Sequence, residues 1–178
     1  MSKEIRYYRH SETKWNKEGR LQGWLDSELT EHGIKLAREV QWQPDIVFSS
    51  DLNRAITTAK WMFPNQQLIT TALLREIHLG DWQGKMLDEL QQDPNYQCYQ
   101  NAPHLFQVQS QESFQMVTKR MRFFHDQLEQ FPFERIAVVS HGVALACLQC
   151  KLNQDSINNL WDYMLPSATY VVYEMKTL

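Results

Sequence analysis

Long apolar runs are missing from this chain of 178 residues. Stretches such as "IAVV" at 136–139 fall far short of the roughly 18 residues a membrane span requires. A basic excess is missing too: 18 Lys and Arg stand against 21 Asp and Glu, for a net charge of -3. That balance excludes an extended nucleic-acid surface, so any cationic site must be local. Cysteine is scarce and odd in number, at three, which excludes a disulfide framework and agrees with a reducing compartment. The opening "MSKEIRYYRH" has no apolar stretch of the secretory kind, and a cytoplasmic location is expected. Cys147 and Cys150 form a C-x-x-C pair, but three-residue spacing sets both on one face of an apolar helix with no second ligand pair, so a buried structural role is expected. His32, His78, His104 and His125 form no H-E-x-x-H arrangement, and no metal is expected.

What is present is an ordinary globular composition, 43% hydrophobic and 22% charged, of a length that predicts one domain over 1–178. "EIRYYR" has the aromatic and β-branched content of a strand, and 10–29 reads as a loop. Thr30 is placed to cap a helix running to about Gln41, and "QWQPDIVFSS" gives a short buried strand. Ser50 or Asp51 is expected to cap "LNRAITTAKWMF", which Pro64 stops, and "QQLITTALL" reads as a third strand. Residues 80–112 contain one short helical piece and otherwise no period, and predict a lid insertion over one face. From Ser113, the apolar residues Phe114, Val117, Met121, Phe124, Leu128 and Phe131 step by three and four, the signature of an amphipathic helix. "RIAVV" is a buried strand, "GVALACLQCKL" a helix and "ATYVVYEM" a closing strand. The expected class is α/β, a three-layer α/β/α sandwich with a mostly parallel sheet and one antiparallel edge strand.

In such sheets ligands bind beyond the carboxyl ends of the strands. The residues there are Arg9 and His10, then Ser49, Ser50 and Arg54, then Glu76, then Ser140, His141 and Gly142. Two arginines present planar donor forks suited to phosphate oxygens, and Arg54, near a helix N-terminus, is expected to be joined by backbone N–H donors. A histidine among those cations has its charged form disfavoured, so His10 stays neutral and nucleophilic and can attack phosphorus. Glu76 is placed to protonate the leaving oxygen, and His141 to hold the phosphoryl group as a positively charged donor. The scheme needs neither metal nor cofactor.

"RHSET" resembles the Arg-His-Gly-Glu-Thr signature of the histidine phosphatase (phosphoglycerate mutase-like) superfamily. "SSDLNRAITTA", "LREIHLGDWQG" and "VSHGV" resemble its later blocks in the same order, so the likeness covers nearly the whole chain and is closest to the small broad-specificity phosphatases. It implies that His10 is the phosphorylated nucleophile, that Arg9, Arg54 and His141 hold the phosphoryl group, and that Glu76 donates the proton. It also implies substrate contacts from Asn16 and Gln22. Ser11 replaces the family's usual glycine, and a side chain there is expected to reach the pocket or alter the local backbone. Gln83 stands for a family Glu, and Gln111 where the family often has Gly. His104, in the expected lid, is a further candidate substrate contact. Small phosphorylated metabolites are the expected partners, ranging over sugar and nucleotide phosphates, α-ribazole phosphate, phosphoserine and phosphoglycerate, with no nucleic acid or membrane; monomer and homodimer both stay open. A mutase-type isomerase needs extra basic residues in the covering segment, where Lys85 is the only Lys or Arg between 80 and 112. Hydrolysis is therefore favoured over isomerisation, and over a phosphate-binding domain without turnover, since His10, Arg9, Arg54, Glu76 and His141 are all retained.

Overall fold

The computed structural model describes residues 2–176 and begins with β1 (Ser2–Arg9), whose Ile5, Tyr7 and Tyr8 are wholly buried. Four more strands follow: β2 (Ile46–Ser50), β3 (Leu68–Thr71), β4 (Arg135–Ser140) and β5 (Tyr170–Lys176). They form one sheet in the order β3-β2-β4-β1-β5, parallel except for β5, which runs antiparallel to β1 at the edge. The seven helices of the described residues are α1 (Lys14–Glu18), α2 (Glu31–Arg38), α3 (Asn53–Met62), α4 (Leu87–Leu90), α5 (Pro94–Asn101), α6 (Phe114–Gln127) and α7 (Gly142–Leu152). Because side chains alternate along a strand, β4 sends Ile136 and Val138 to one core and Ala137 and Val139 to the other. The first core takes the buried faces of α6 and α7, and the second takes Ala37 of α2 with Ala55, Ala59 and Met62 of α3. That is the expected three-layer sandwich, and the unbroken apolar run of β4 reflects a central strand covered on both faces. No helix of the described residues is long and apolar enough to cross a membrane.

Four local expectations change. The 10–29 loop contains α1, built by a capping box in which the Thr13 hydroxyl accepts from Asn16 N at 3.2 Å and Asn16 Oδ1 accepts from Thr13 N at 3.1 Å. Gly19, at φ +71°, ends it in the left-handed conformation that suits glycine. α2 has its Thr30 cap but stops at Arg38, and the chain turns so that Trp42 lies 4.2 Å under the Arg6 guanidinium. α3 is capped neither by Ser50 nor by Asp51. Asp26, from the preceding loop, accepts from Asn53 N at 2.7 Å and Arg54 N at 3.2 Å, while Asp51 pairs with Arg75. Residues 80–112 hold α4, α5 and two short 3-10 turns, Gly80–Trp82 and Pro103–Leu105, instead of one helical piece. Their Trp82, Tyr96, Tyr99 and Phe106 pack into the first core beside Phe114, so the segment is a wall rooted in the interior.

Under the sheet, the Tyr7 hydroxyl lies 2.7 Å from His125 Nδ1, with Tyr173 beside both rings. Burial and then Arg122 push His125 from 6.5 down to about 4, against a smaller opposing pull from Asp126. The folded ring is neutral, and Nδ1 shares a hydrogen bond with the Tyr7 hydroxyl. Between pH 6.5 and about 4 the unfolded chain binds a proton that the folded chain does not, so stability falls as pH drops through that window and levels off below it. This group accounts for up to roughly 3 kcal/mol of the loss. His125→Asn, whose amide oxygen can accept from Tyr7, is expected to give a shallower decline of Tm from pH 6.5 to 4. Parallel Tm curves for parent and variant would refute the assignment.

Candidate active site

Register brings the two histidines together. β1 and β4 pair with Arg9 opposite Ser140, and the ladder continues as His10 N donates to Ser140 O at 2.9 Å. His141, one residue on, then faces His10 with ring centroids 5.2 Å apart. Both rings are buried. His10 Nδ1 lies 2.8 Å from Ser11 O, and since a carbonyl can only accept, Nδ1 carries the proton and Nε2 the free lone pair. Burial first, then Arg54 and Arg9, hold His10 well below 6.5, outweighing the Ser11 carbonyl. His141 is also held well below 6.5, by burial and then by Arg54, His10, Arg120 and Arg9. These surroundings favour the neutral His141 ring, which still offers one N–H.

Arg9 donates through Nη1 to Leu165 O at 2.6 Å and lies against Gly142. A Cβ on Gly142 would stand 3.3 Å from the Arg9 guanidinium and 2.8 Å from the Met164 methyl, so a side chain at the α7 start would make both of those side-chain ends shift. Arg54, 2% exposed, donates to Leu25 O at 2.6 Å, Gly23 O at 2.7 Å and Asp26 at 2.9 Å. Asp26 therefore both anchors Arg54 and takes up the first backbone donors of α3. The expectation that those N–H groups would bind an anion is corrected, since Asp26 already occupies them.

Glu76 is fixed at both ends. Its carboxylate accepts from Ile77 N at 2.9 Å, Ala144 N at 2.8 Å and Val143 N at 3.1 Å, the latter two being first-turn donors of α7. Its carbonyl accepts from Trp24 Nε1 at 2.8 Å and Arg120 Nη2 at 2.9 Å. Arg120 also binds Leu73 O, Arg75 O and both oxygens of Glu112, tying the loop that carries Glu76 to α6. Asp26, Trp24, Glu112 and Arg120 were missed from sequence, because each acts through a partner far along the chain.

Among the described residues, eight buried side-chain atoms have no hydrogen-bond partner, and five of them belong here: Arg9 Nε, Arg54 Nε, both His141 nitrogens and Gln22 Oε1. Buried polar atoms are rarely left unpaired, so their clustering at one sheet edge makes it the candidate ligand site. Asn16 and Arg9 both line a pocket of about 450 Å³ that opens from this edge. Gln22 is buried but does not line that pocket.

Two expected contacts are corrected. His104 is not among the residues lining that pocket; it is exposed, with Nδ1 2.6 Å from Asn158 Oδ1. Ser11 is fully buried, does not line that pocket, and donates to Gly33 O at 2.6 Å, while its N–H donates to Thr58 at 3.0 Å. Its φ is not among the positive ones, so serine imposes no left-handed strain at this position. Ser11→Gly is expected to cost roughly 1 kcal/mol of stability through the lost buried bond and to leave kcat/KM near the parent value. Urea unfolding together with a steady-state assay checks both halves; a large gain in turnover would show that Ser11 does reach the reacting groups.

The chain matches the histidine phosphatase superfamily (branch 1) over residues 6–177. It is 30% identical over 178 residues to phosphoserine phosphatase 1 of Hydrogenobacter thermophilus, covering 94% of this chain and 84% of that protein. Among solved structures, Bacillus stearothermophilus YhfR superposes with a TM-score of 0.88 at 32% identity, covering 96% of this chain and 90% of the other. A phosphoserine phosphatase from Entamoeba histolytica, solved with 3-phosphoglyceric acid, superposes with a TM-score of 0.84 at 27% identity, covering 96% and 89%.

Proposed function

The chain belongs to the histidine phosphatase superfamily (branch 1), and from that membership we propose that it is a metal-independent phosphomonoesterase that hydrolyses small phosphorylated metabolites through a phosphohistidine on His10. The observation that carries this reading is the neutral His10, with Nε2 free, set among buried and unpaired donors of Arg9, Arg54 and His141.

The Nε2 lone pair attacks phosphorus as the bond from phosphorus to the ester oxygen breaks. That electron pair moves to the leaving oxygen, which takes its proton from the Glu76 carboxylic acid through Oε2, the oxygen with the single backbone donor. The resulting carboxylate then takes a proton from water as the water oxygen attacks the phosphohistidine. The P–N pair returns to Nε2 and inorganic phosphate leaves. Arg9 and Arg54 balance the equatorial oxygens, and the dianion supplies the counter-charge that lets His141 become protonated. Dividing a reaction as slow as phosphate ester hydrolysis into two displacements lowers each barrier.

The test is hydrolysis of p-nitrophenyl phosphate with EDTA present, followed by rapid acid-free quenching of a reaction with ³²P-labelled substrate. Activity in EDTA and an alkali-stable, acid-labile label on the protein are expected. Activity restored only by added metal would refute the metal-independent reading, and turnover with no such label at any quench time would refute the phosphohistidine. Transfer of phosphate between the 2- and 3-positions of phosphoglycerate, in place of release, would favour an isomerase.

A further inference from the structure

The pocket that opens from Arg9 has walls made of rings. Trp15 and Trp161, both half-buried, line it together with Tyr96 and Tyr99. The Trp161 ring is held in place: its N–H donates to Gln100 O at 2.7 Å, and its centroid lies 5.1 Å from that of Tyr99. Trp15 lies 5.5 Å under the Arg20 guanidinium. Arg20 is itself occupied by Gly84 O at 2.5 Å and Glu18 at 3.2 Å. The charged residues lining the pocket are Arg9 and Arg20, and no carboxylate lines it.

Resting on the phosphomonoesterase reading, we propose that the preferred substrates are esters whose alcohol carries a planar aromatic group and no cationic centre, seated against Trp15 and Trp161. A flat ring gains offset or edge-to-face contact with indoles that are already immobilised, at little ordering cost. An ammonium, such as the α-amino group of phosphoserine, would stand near two guanidinium groups with no lining acid to pair it, and like charges brought together in a partly dry pocket are penalised. A carboxylate would meet the same two guanidinium groups, Arg9 already committed to the phosphoryl group and Arg20 already paired with Glu18. At about 450 Å³ the pocket has room for a fused bicyclic ring.

The experiment compares kcat/KM for benzyl phosphate, O-phosphoserine and 3-phosphoglycerate with the full chain. In all three the ester oxygen sits on an sp3 carbon, so none carries the activated leaving group of an aryl ester, and the more acidic alcohol of O-phosphoserine works against the expected order. Benzyl phosphate is expected to lead O-phosphoserine by about tenfold or more, and Trp161→Leu and Trp15→Leu to shrink that ratio by about threefold to tenfold each. Trp161→Phe, which retains a ring, is expected to keep most of it. A parent enzyme that turns over O-phosphoserine as well as or better than benzyl phosphate overturns the aromatic preference while leaving the phosphatase reading intact. A ratio that survives both leucine substitutions overturns the assignment to these walls. Hydrolysis of p-nitrophenyl phosphate but of none of the three overturns the aromatic preference alone, whereas no hydrolysis of any of the four overturns the phosphatase reading.

Discussion

His10→Ala is expected to lower kcat by at least about 10³-fold, the scale seen when a covalent nucleophile is removed. The variant loses the proposed nucleophilic atom but keeps Arg9, Arg54 and His141, so phosphate is expected to inhibit it with an affinity close to that of the parent. The fold tolerates the change, because the His10 side chain makes one hydrogen bond, to its neighbour Ser11. Thermal unfolding separates a damaged fold from a missing nucleophile. The label assay separates the two remaining explanations: a variant that still turns over within tenfold of the parent, or that still accumulates phosphoprotein, would move the nucleophile elsewhere. The same environment sets the acid limit. Since burial, Arg54 and Arg9 hold His10 well below 6.5, its protonation removes the nucleophile only well below that value. The acid limb of kcat/KM is expected to lie correspondingly low, and a limb at 6.5 would mean that an ordinary, solvated histidine is the group titrating.

The fold and the side chains gathered at its sheet edge were legible in the sequence for one physical reason: they are encoded locally. A central parallel strand must be apolar on both faces, so "RIAVV" announces β4, and its end fixes Ser140 and His141 at the ligand edge. The same logic places Arg9 and His10 after β1, and the three-to-four spacing from Phe114 to Leu128 specifies α6 with its Ser113 cap. What was not legible acts across long separations. Asp26 does the capping expected of Ser50 or Asp51, and no local pattern says that a loop carboxylate will reach both α3 and Arg54. Arg120 reads as one more polar residue on an amphipathic helix, yet its donors are spent on the loop around Glu76. Residues 80–112 lack period because short helices and 3-10 turns follow the shape of the aromatic core more than any repeat of their own. Ser11 is the instructive case: a departure from the family pattern beside His10 points, in three dimensions, into α2.

Glu76→Gln separates proton donation from structure. The substitution keeps size, and the glutamine oxygen can still accept from Ile77 N and Ala144 N, but its amide nitrogen then faces Val143 N, a donor against a donor, at a cost of roughly 1–3 kcal/mol in stability. For an alkyl ester such as benzyl phosphate, whose leaving oxygen needs a proton, kcat is expected to fall by about 10²- to 10⁴-fold. For p-nitrophenyl phosphate, whose leaving group departs as a stable anion, the first displacement is expected to survive, while the second slows because no base is left to take the proton from water. The variant should therefore release a burst of about one equivalent of p-nitrophenolate and then turn over slowly, with phosphoprotein accumulating. A structural role alone would depress both esters equally and give no burst. Arg120→Lys offers the complementary change, since the carboxyl group remains but the bonds from a planar fork to Leu73, Arg75 and Glu76 cannot all be made by one ammonium. If the fork positions Glu76, Arg120→Lys should show a weaker form of the same alkyl-to-aryl discrimination; a uniform loss for both esters would assign Arg120 to stability alone.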